Sequence, residues 1–108
     1  MAEDTLKQLF EILEARKNAD PDSSYVASLY TQGLDAILKK IGEEATELII
    51  AANTQQKDAI IHETADLWFH TLVMLAQQGL SFTDILSELE SRFGQSGIDE
   101  KASRKTEN

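Results

Sequence analysis

Two pairs of acidic residues at helical spacing are the part of this sequence best suited to chemistry. Glu44 and Glu47 are three positions apart, as are Glu63 and Asp66, and fifteen residues separate the two pairs. Residues three apart are neighbours on a helix surface. Four carboxylates on two facing helices repel one another unless a cation lies between them. Because such oxygen ligands suit Mg²⁺ or Mn²⁺, the pattern predicts a metal site with these four residues as ligands.

A metal site of this kind could support cleavage of a phosphoanhydride. Mg²⁺ can bridge a polyphosphate to acidic side chains, neutralise developing charge and polarise a water for attack on phosphorus. Lys40 lies on the same helix stripe as Glu44 and Glu47 and is a candidate phosphate contact. The sequence has no Walker-type lysine motif, no glycine-rich phosphate loop after a strand and no evident serine or cysteine nucleophile arrangement. The predicted nucleophile is therefore an activated water.

The elements that would position these residues are helices. Long segments have apolar residues at the helical period and there is only one proline, which predicts an all-α, single-domain bundle of about five helices over residues 1–94. A polar, basic tail occupies residues 95–108. The first predicted helix is Leu6–Lys17, with a capping box of Thr5 and Gln8. A short second helix ends near Gln32 and Gly33; it could start at Asp20 and Pro21, and the alternative for residues 18–24 is a loop. The other predicted helices are Leu34–Ala52, then Gln55–Gln78, which Gly79 ends, and a last one that is capped by Ser81 and Asp84 and ends near Phe93 and Gly94.

The fourth predicted helix carries the strongest argument for a metal. It is apolar around almost its whole circumference, which predicts burial in a core and in a subunit interface. Only Glu63, Asp66 and His70 interrupt this surface, as one narrow stripe. Since carboxylates are rarely buried without a partner or a cation, metal ligation is favoured over an idle acidic pair.

The remaining polar residues near the acidic pairs are less informative. Glu43 points away from the apolar face of the third helix and is predicted to be solvated. For Glu44 and Glu47 taken alone, ligation and solvation are equally open. His70 is predicted to be a core histidine with satisfied hydrogen bonds, the alternatives being a bond to Asp66 or support of a metal ligand. His62 is given no role.

Composition excludes several classes of function. The 108 residues carry a formal net charge of -9, which disfavours binding to nucleic acid or to an anionic membrane surface. No cysteine is present, so neither disulfides nor thiolate metal sites are expected. The acidic N-terminus lacks the apolar segment of a signal peptide, and no apolar run is long enough to span a bilayer. A cytoplasmic protein is predicted.

Two other interpretations of the acidic pairs remain. Di-iron sites in helical bundles use Glu-x-x-His pairs, but Ala59 and Leu67 stand three positions before the two histidines, which disfavours a redox centre. The other is a non-enzymatic helical dimerisation module with incidental acidic pairs. The acidic stripe on an otherwise apolar fourth helix argues against it.

The pattern of the two acidic pairs resembles the motif of the all-α nucleoside triphosphate pyrophosphohydrolases, the MazG-like superfamily. Within it, the chain is similar over nearly its whole length to the phosphoribosyl-ATP pyrophosphohydrolase family of histidine biosynthesis. Four stretches carry this resemblance: Ser24-Tyr25 with Ser28-Leu29 and Gly33; Lys40-x-Gly42-Glu43-Glu44-Ala45-x-Glu47; Glu63-x-Ala65-Asp66-Leu67 with Gly79-Leu80; and Ser96-Gly97-x-x-Glu100-Lys101-Ala102-Ser103-Arg104. The last stretch discriminates best, because generic MazG-like proteins are not expected to have it.

The resemblance implies hydrolysis of phosphoribosyl-ATP to phosphoribosyl-AMP and pyrophosphate by a Mg²⁺-dependent cytoplasmic homodimer, with Mn²⁺ as a possible substitute. It makes Lys101 and Arg104 candidate phosphate contacts, and Lys40 and Arg92 are further candidates. A house-cleaning MazG-like enzyme acting on free or damaged nucleotides is the alternative enzyme.

Deleting residues 95–108 is expected to impair substrate binding, because the deletion removes the clustered cations that could close over phosphates. The measurement is the KM and turnover rate of the truncated chain beside the full chain. An unchanged KM and rate would return the segment to an idle terminus.

Overall fold

Five α-helices make up most of the protein in this computed structural model, which describes residues 2–94. The helices are α1 (Ala2–Ala15), α2 (Tyr25–Gln32), α3 (Leu34–Asn53), α4 (Lys57–Gln77) and α5 (Phe82–Glu90), and a 3₁₀ turn follows α1 at Arg16–Asn18. No strand occurs in this range. The predicted all-α, five-helix, single-domain fold is confirmed.

The start of α1 differs from the prediction. The helix begins at Ala2 rather than Leu6, so Thr5 lies within its first turns and the predicted capping box of Thr5 and Gln8 is wrong. The reason is in the residues before Leu6. Alanine is a strong helix former, and acidic residues are favoured near a helix N-terminus by the helix dipole.

The start of α2 settles the alternative that the sequence left open. Ser24 is the N-cap, and its hydroxyl accepts a hydrogen bond from the backbone N–H of Ala27 at 3.2 Å. Asp20 does not start a helix with Pro21. It instead organises a turn, in which its carboxylate accepts from the N–H of Asp22 at 2.9 Å and its carbonyl from that of Ser24 at 3.0 Å. Tyr25 therefore becomes the first residue of α2.

α3 and α4 form a helical hairpin joined by the three residues 54–56. Gln55 has a φ of 57°, the left-handed region, so α4 begins at Lys57 and not at the predicted Gln55. The N–H of Gln55 donates to Ala52 and that of Gln56 to Ala51, each at 3.2 Å. This is a Schellman motif with Gln55 where glycine is usual. The end of α4 has the same motif with Gly79 at φ 75°.

The start of α5 agrees with the prediction. Ser81 and Asp84 form a capping box, in which the N–H of Ser81 donates to the Asp84 carboxylate at 2.9 Å. The helix ends at Glu90, before the predicted Phe93, and a turn leads to Gly94 at φ 80°.

The core lies where α1, α2, α3 and α4 meet. Leu13, Ile37 and Val73 are fully buried at its centre. Tyr30 of α2 reaches α1, and its hydroxyl donates to the carbonyl of Leu13 at 2.9 Å. Burial raises the pKa of Tyr30 to about 12, so the hydroxyl keeps its proton at neutral pH.

The single chain buries only one side of α4. Ile61 is 69% exposed and Trp68 is 59% exposed, so the core of one chain covers only part of the predicted buried circumference of α4. Its expected interface with a second subunit stays a prediction. Among the residues described, no helix has the length and apolar character needed to cross a membrane.

Replacing Gln55 with glycine is expected to stabilise the protein by about 0.5–1 kcal/mol, because glycine adopts a left-handed φ without the penalty that a Cβ brings. The reciprocal control is Gly79→Ala, at the matching position of the α4 motif. A Cβ there would meet nothing within 4 Å, so backbone strain alone should destabilise it by about 1 kcal/mol. Urea unfolding of both variants measures this. A less stable Gln55→Gly protein would contradict the strain argument.

Candidate functional site

The two acidic pairs meet because the hairpin has equal arms. The fifteen residues between Glu47 and Glu63 are six residues of α3, three of the connection and six of α4. At a rise of about 1.5 Å per residue, both side chains lie about 9 Å from the connection. Antiparallel helices joined by so short a loop are neighbours, so Glu47 faces Glu63, and Glu44 lies about one turn further along.

The structure brings three of the four predicted ligands into one group. One carboxylate oxygen from each of Glu44, Glu47 and Glu63 can be chosen so that all lie within 4.8 Å of one another. Asp66 does not belong to this group. It forms a second group of the same kind with Glu63 and His62, and Glu63 therefore joins the two. The ligand roles of all four acids remain predictions.

The electrostatics of the first group favour a cation. A hydrogen bond with Glu47, and next to it burial, raises the pKa of Glu63. That hydrogen bond exists only while one of the two groups is protonated. With both ionised there is no donor, and Oε2 of Glu63 is a buried oxygen without a hydrogen-bond partner. An acceptor-only set of carboxylate oxygens fits a hard divalent ion such as Mg²⁺ or Mn²⁺.

Glu44 and His70 form a buried polar contact at the inner end of the group. Glu44 is 6% exposed and His70 is 5% exposed, and Oε1 of Glu44 lies 2.6 Å from Nδ1 of His70. Nδ1 also lies 3.0 Å from the carbonyl oxygen of Asp66, and Nε2 lies 2.7 Å from the Tyr25 hydroxyl. The prediction of a core histidine with satisfied hydrogen bonds is confirmed. The contact with Asp66 that the sequence left as an alternative is also present, and it involves the backbone carbonyl.

The sequence analysis gave no role in the site to two residues of this neighbourhood. Tyr25 lies 45 positions from His70, so no local spacing could reveal their contact. His62 was given no role, yet its Nε2 lies 3.2 Å from Oδ2 of Asp66 and 4.0 Å from Oε1 of Glu63. The signal for His62 was its position four residues before Asp66, a spacing that places two side chains together on a helix.

The predicted phosphate contacts are only partly placed. Lys40 pairs with Glu43 at 3.7 Å, and Glu43 is exposed as predicted. The neighbouring Tyr25, followed by Glu44 and Glu43, raises the pKa of Lys40, so a cation stands near the acidic group. Arg92 pairs with Glu88 at 3.1 Å on the outer end of the bundle's last helix. Lys101 and Arg104 lie outside the described residues, and the four phosphate contacts stay predictions.

Two concave surfaces flank the acids. A cleft of about 250 Å³ lies between the end of α3 and the start of α4, and Glu47 and Glu63 form part of its wall. A groove of about 530 Å³ lies between α1 and α4, with Asp66 among otherwise mostly apolar side chains. The acidic residues thus line open space on both sides and could meet a ligand from solvent.

Comparisons with known proteins agree on one family. The family model described as phosphoribosyl-ATP pyrophosphohydrolase matches residues 6–93. A phosphoribosyl-ATP pyrophosphatase from Hydrogenovibrio crunogenus is 59% identical, over 96% of this chain and 96% of the relative. One from Methylococcus capsulatus is 63% identical, over 94% of this chain and 97% of the relative.

Glu63→Gln is expected to stabilise the metal-free protein at pH 7 and to remove its stabilisation by Mg²⁺. A raised carboxyl pKa means that the folded state holds this proton more tightly than the unfolded state. The associated stability is therefore present at acidic pH and is lost as pH rises through the folded pKa. Once Glu63 is ionised, it faces Glu47 without a donor, and the amide removes that repulsion.

The measurement is the thermal midpoint of both proteins in chelator and in excess Mg²⁺. The variant should melt higher in chelator, and only the unsubstituted protein should gain stability from Mg²⁺. Glu43→Gln on the solvent side of α3 is the charge-matched control. A Mg²⁺ response in Glu63→Gln equal to that of the unsubstituted protein would remove Glu63 from the ligands.

Proposed function

Because the chain belongs to the phosphoribosyl-ATP pyrophosphohydrolase family, we propose that it hydrolyses phosphoribosyl-ATP with a divalent metal ion held by Glu44, Glu47, Glu63 and Asp66. The products are phosphoribosyl-AMP and pyrophosphate, and the reaction belongs to histidine biosynthesis. The observation that carries the assignment is the match of 59% and 63% identity along nearly the whole chain to proteins of that name. Mg²⁺ is the proposed ion, with Mn²⁺ as a substitute.

The geometry of the acidic group supports the metal. Oxygens of Glu44, Glu47 and Glu63 lie within 4.8 Å of one another, and two buried carboxylate oxygens, one each from Glu44 and Glu63, have no hydrogen-bond partner. When bound, a divalent ion neutralises phosphate charge and activates water for attack on phosphorus. The acids themselves would bind the ion and hold it at the mouth of the cleft beside α3.

The chain's other polar groups would orient the substrate. A triphosphate carrying about four negative charges is repelled by a body of net charge -9, so cations at the edge of the site are needed to hold it. Lys40 interacts electrostatically with Glu44, and its pairing with exposed Glu43 is a surface contact that a phosphate can replace at little cost. Arg92, Lys101 and Arg104 are the further proposed contacts.

A homodimer in the cytoplasm is also part of this proposal. The supporting observation is the exposed apolar surface of the hairpin, where Ile49 and Ile61 are 68% and 69% exposed. Monomeric proteins rarely leave large contiguous apolar patches in water. We expect the purified chain to sediment as a dimer, and a monomer at micromolar concentration would contradict this.

Pyrophosphate release tests the function. We expect release from phosphoribosyl-ATP, made in situ from ATP and phosphoribosyl pyrophosphate, in Mg²⁺ but not in chelator. Glu44→Gln should lower the rate by more than about 100-fold with the helical circular dichroism spectrum retained, since even residues that only support a metal ligand are worth roughly 10–100-fold. Glu43→Gln, the exposed neighbour, should keep most of the activity.

A panel of ordinary and damaged nucleoside triphosphates separates the alternatives in the same assay. Release from that panel, and not from phosphoribosyl-ATP, would indicate a house-cleaning MazG-like enzyme. No release from any substrate would favour a non-enzymatic helical module. Near-normal activity of Glu44→Gln would remove Glu44 from the site.

A further inference from the structure

A line of polar contacts crosses three helices and ends on one of the acidic side chains. It starts at the Tyr25 hydroxyl at the beginning of α2, passes through the ring of His70 on α4, and reaches Oε1 of Glu44 on α3, with steps of 2.7 and 2.6 Å. Neither Tyr25 nor His70 belongs to the two groups of potential metal ligands found in the described residues. The acidic pairs leave both residues without an explanation.

The acceptors around the ring fix the position of its proton. Nδ1 lies 3.0 Å from the Asp66 carbonyl oxygen and 2.6 Å from the Glu44 carboxylate. A carbonyl and a carboxylate only accept hydrogen bonds, so Nδ1 must carry the proton. Its N–H is directed at the Asp66 carbonyl, which leaves Oε1 of Glu44 in contact with the ring but without a donor of its own. In the neutral ring Nε2 then accepts from the Tyr25 hydroxyl.

This arrangement fixes the rotation of the His70 ring from both edges. The Asp66 carbonyl is part of the α4 backbone and cannot move independently of that helix. Tyr25 is held by the start of α2, where Ser24 caps the helix and Ser28 donates to the Tyr25 carbonyl at 2.6 Å. The ring also makes T-shaped aromatic contacts with Phe69 and Tyr25, with centroids 5.3 and 5.8 Å away.

A fixed ring gives Glu44 a fixed neighbour. The carboxylate is buried, and the positively polarised Nδ1–H edge of the His70 ring lies 2.6 Å from its Oε1. The ring edge draws Oε1 towards α4, and the same side chain must present an oxygen to Glu47 and Glu63. The orientation of His70 thereby sets the orientation of Glu44.

We propose that Tyr25 and His70 are positioning residues that hold the Glu44 carboxylate in the orientation required to bind the divalent cation. This inference rests on the metal site of the proposed function. It assigns a task to two residues outside the ligand set, one of them on a helix that contributes no ligand. Residues that orient metal ligands through hydrogen bonds commonly contribute about 10–100-fold to metal affinity.

The experiment is Mn²⁺ binding to the full chain, measured by electron paramagnetic resonance of free Mn²⁺ without any substrate. The informative pair is His70→Asn and His70→Gln. The Asn amide nitrogen takes the place of Nδ1 and has two N–H groups for Asp66 and Glu44. The Gln amide takes the place of Nε2, so it faces Tyr25 and leaves no polar group of residue 70 beside Glu44.

We expect His70→Gln to weaken Mn²⁺ binding by about tenfold or more, and His70→Asn to stay within a few-fold of the unsubstituted protein. Tyr25→Phe should weaken binding several-fold, because the ring loses one of its two anchors. The matched control is Tyr30→Phe, which removes the other tyrosine hydroxyl of α2 from its bond with Leu13. It should lower the unfolding midpoint and leave Mn²⁺ affinity unchanged.

Each other outcome counts against a stated proposal. If the unsubstituted protein binds Mn²⁺ and the His70 pair binds it equally well, the positioning role is wrong and the metal site stands. If the unsubstituted protein binds no Mn²⁺ at millimolar concentration, the metal site fails and the positioning role fails with it. If both His70 variants unfold, Tyr25→Phe beside Tyr30→Phe decides, and equal affinities of these two would overturn the role.

Discussion

The rest of the structure depends on one electrostatic constraint, the presence of like charges on the facing sides of α3 and α4. Packing two helices normally brings apolar side chains together, but this seam contains Glu44, Glu47 and Glu63 within a few ångströms. A donor, a proton or a cation must compensate each carboxylate. The edge of the His70 ring lies against Glu44, and a hydrogen bond between Glu47 and Glu63 requires that one of the two be protonated. Within residues 2–94, buried oxygens of Glu44 and Glu63 have no hydrogen-bond partner, and this is why a divalent ion fits the seam.

The stability that keeps the seam closed comes from elsewhere. Surface ion pairs such as Lys17 with Glu14 and Arg92 with Glu88 join residues three or four positions apart. Because they are exposed to water, they contribute little to the stability of the fold. Ile37 and Val73 of the buried centre lie on α3 and α4 beyond the acids, away from the connection, and Leu13 of α1 packs in the same core. The hairpin is therefore stabilised by apolar packing towards one end, and its acidic residues are available to bind a ligand.

The sequence predicts structure better where the residues involved are close together in the chain than where they are far apart. The sequence predicted correctly the number of helices, the cap at Ser81 and the meeting of Glu47 with Glu63. All three follow from local sequence patterns and spacings. The contact of Tyr25 with His70 spans 45 positions, and helical periodicity says nothing about such pairs. The error at Thr5 arose because a plausible cap motif occurred inside a longer run of helix formers. Periodicity also describes one helix and not the number of partners around it, so it could not divide the apolar surface of α4 between the core and the predicted interface that would cover Ile61 and Trp68.

The equal arms of the hairpin restrict how the length of such a chain can vary during evolution. One residue added to either arm would rotate the outer acids by about 100° and shift them by about 1.5 Å, away from their partners. One residue added to the connection would break the hydrogen bonds that close the turn at Gln55. The alignment would be restored only if about one helical turn were added to both arms at once, close to seven residues in total. The interval of fifteen residues is thus a geometric unit, in which insertions and deletions should be far rarer than substitutions.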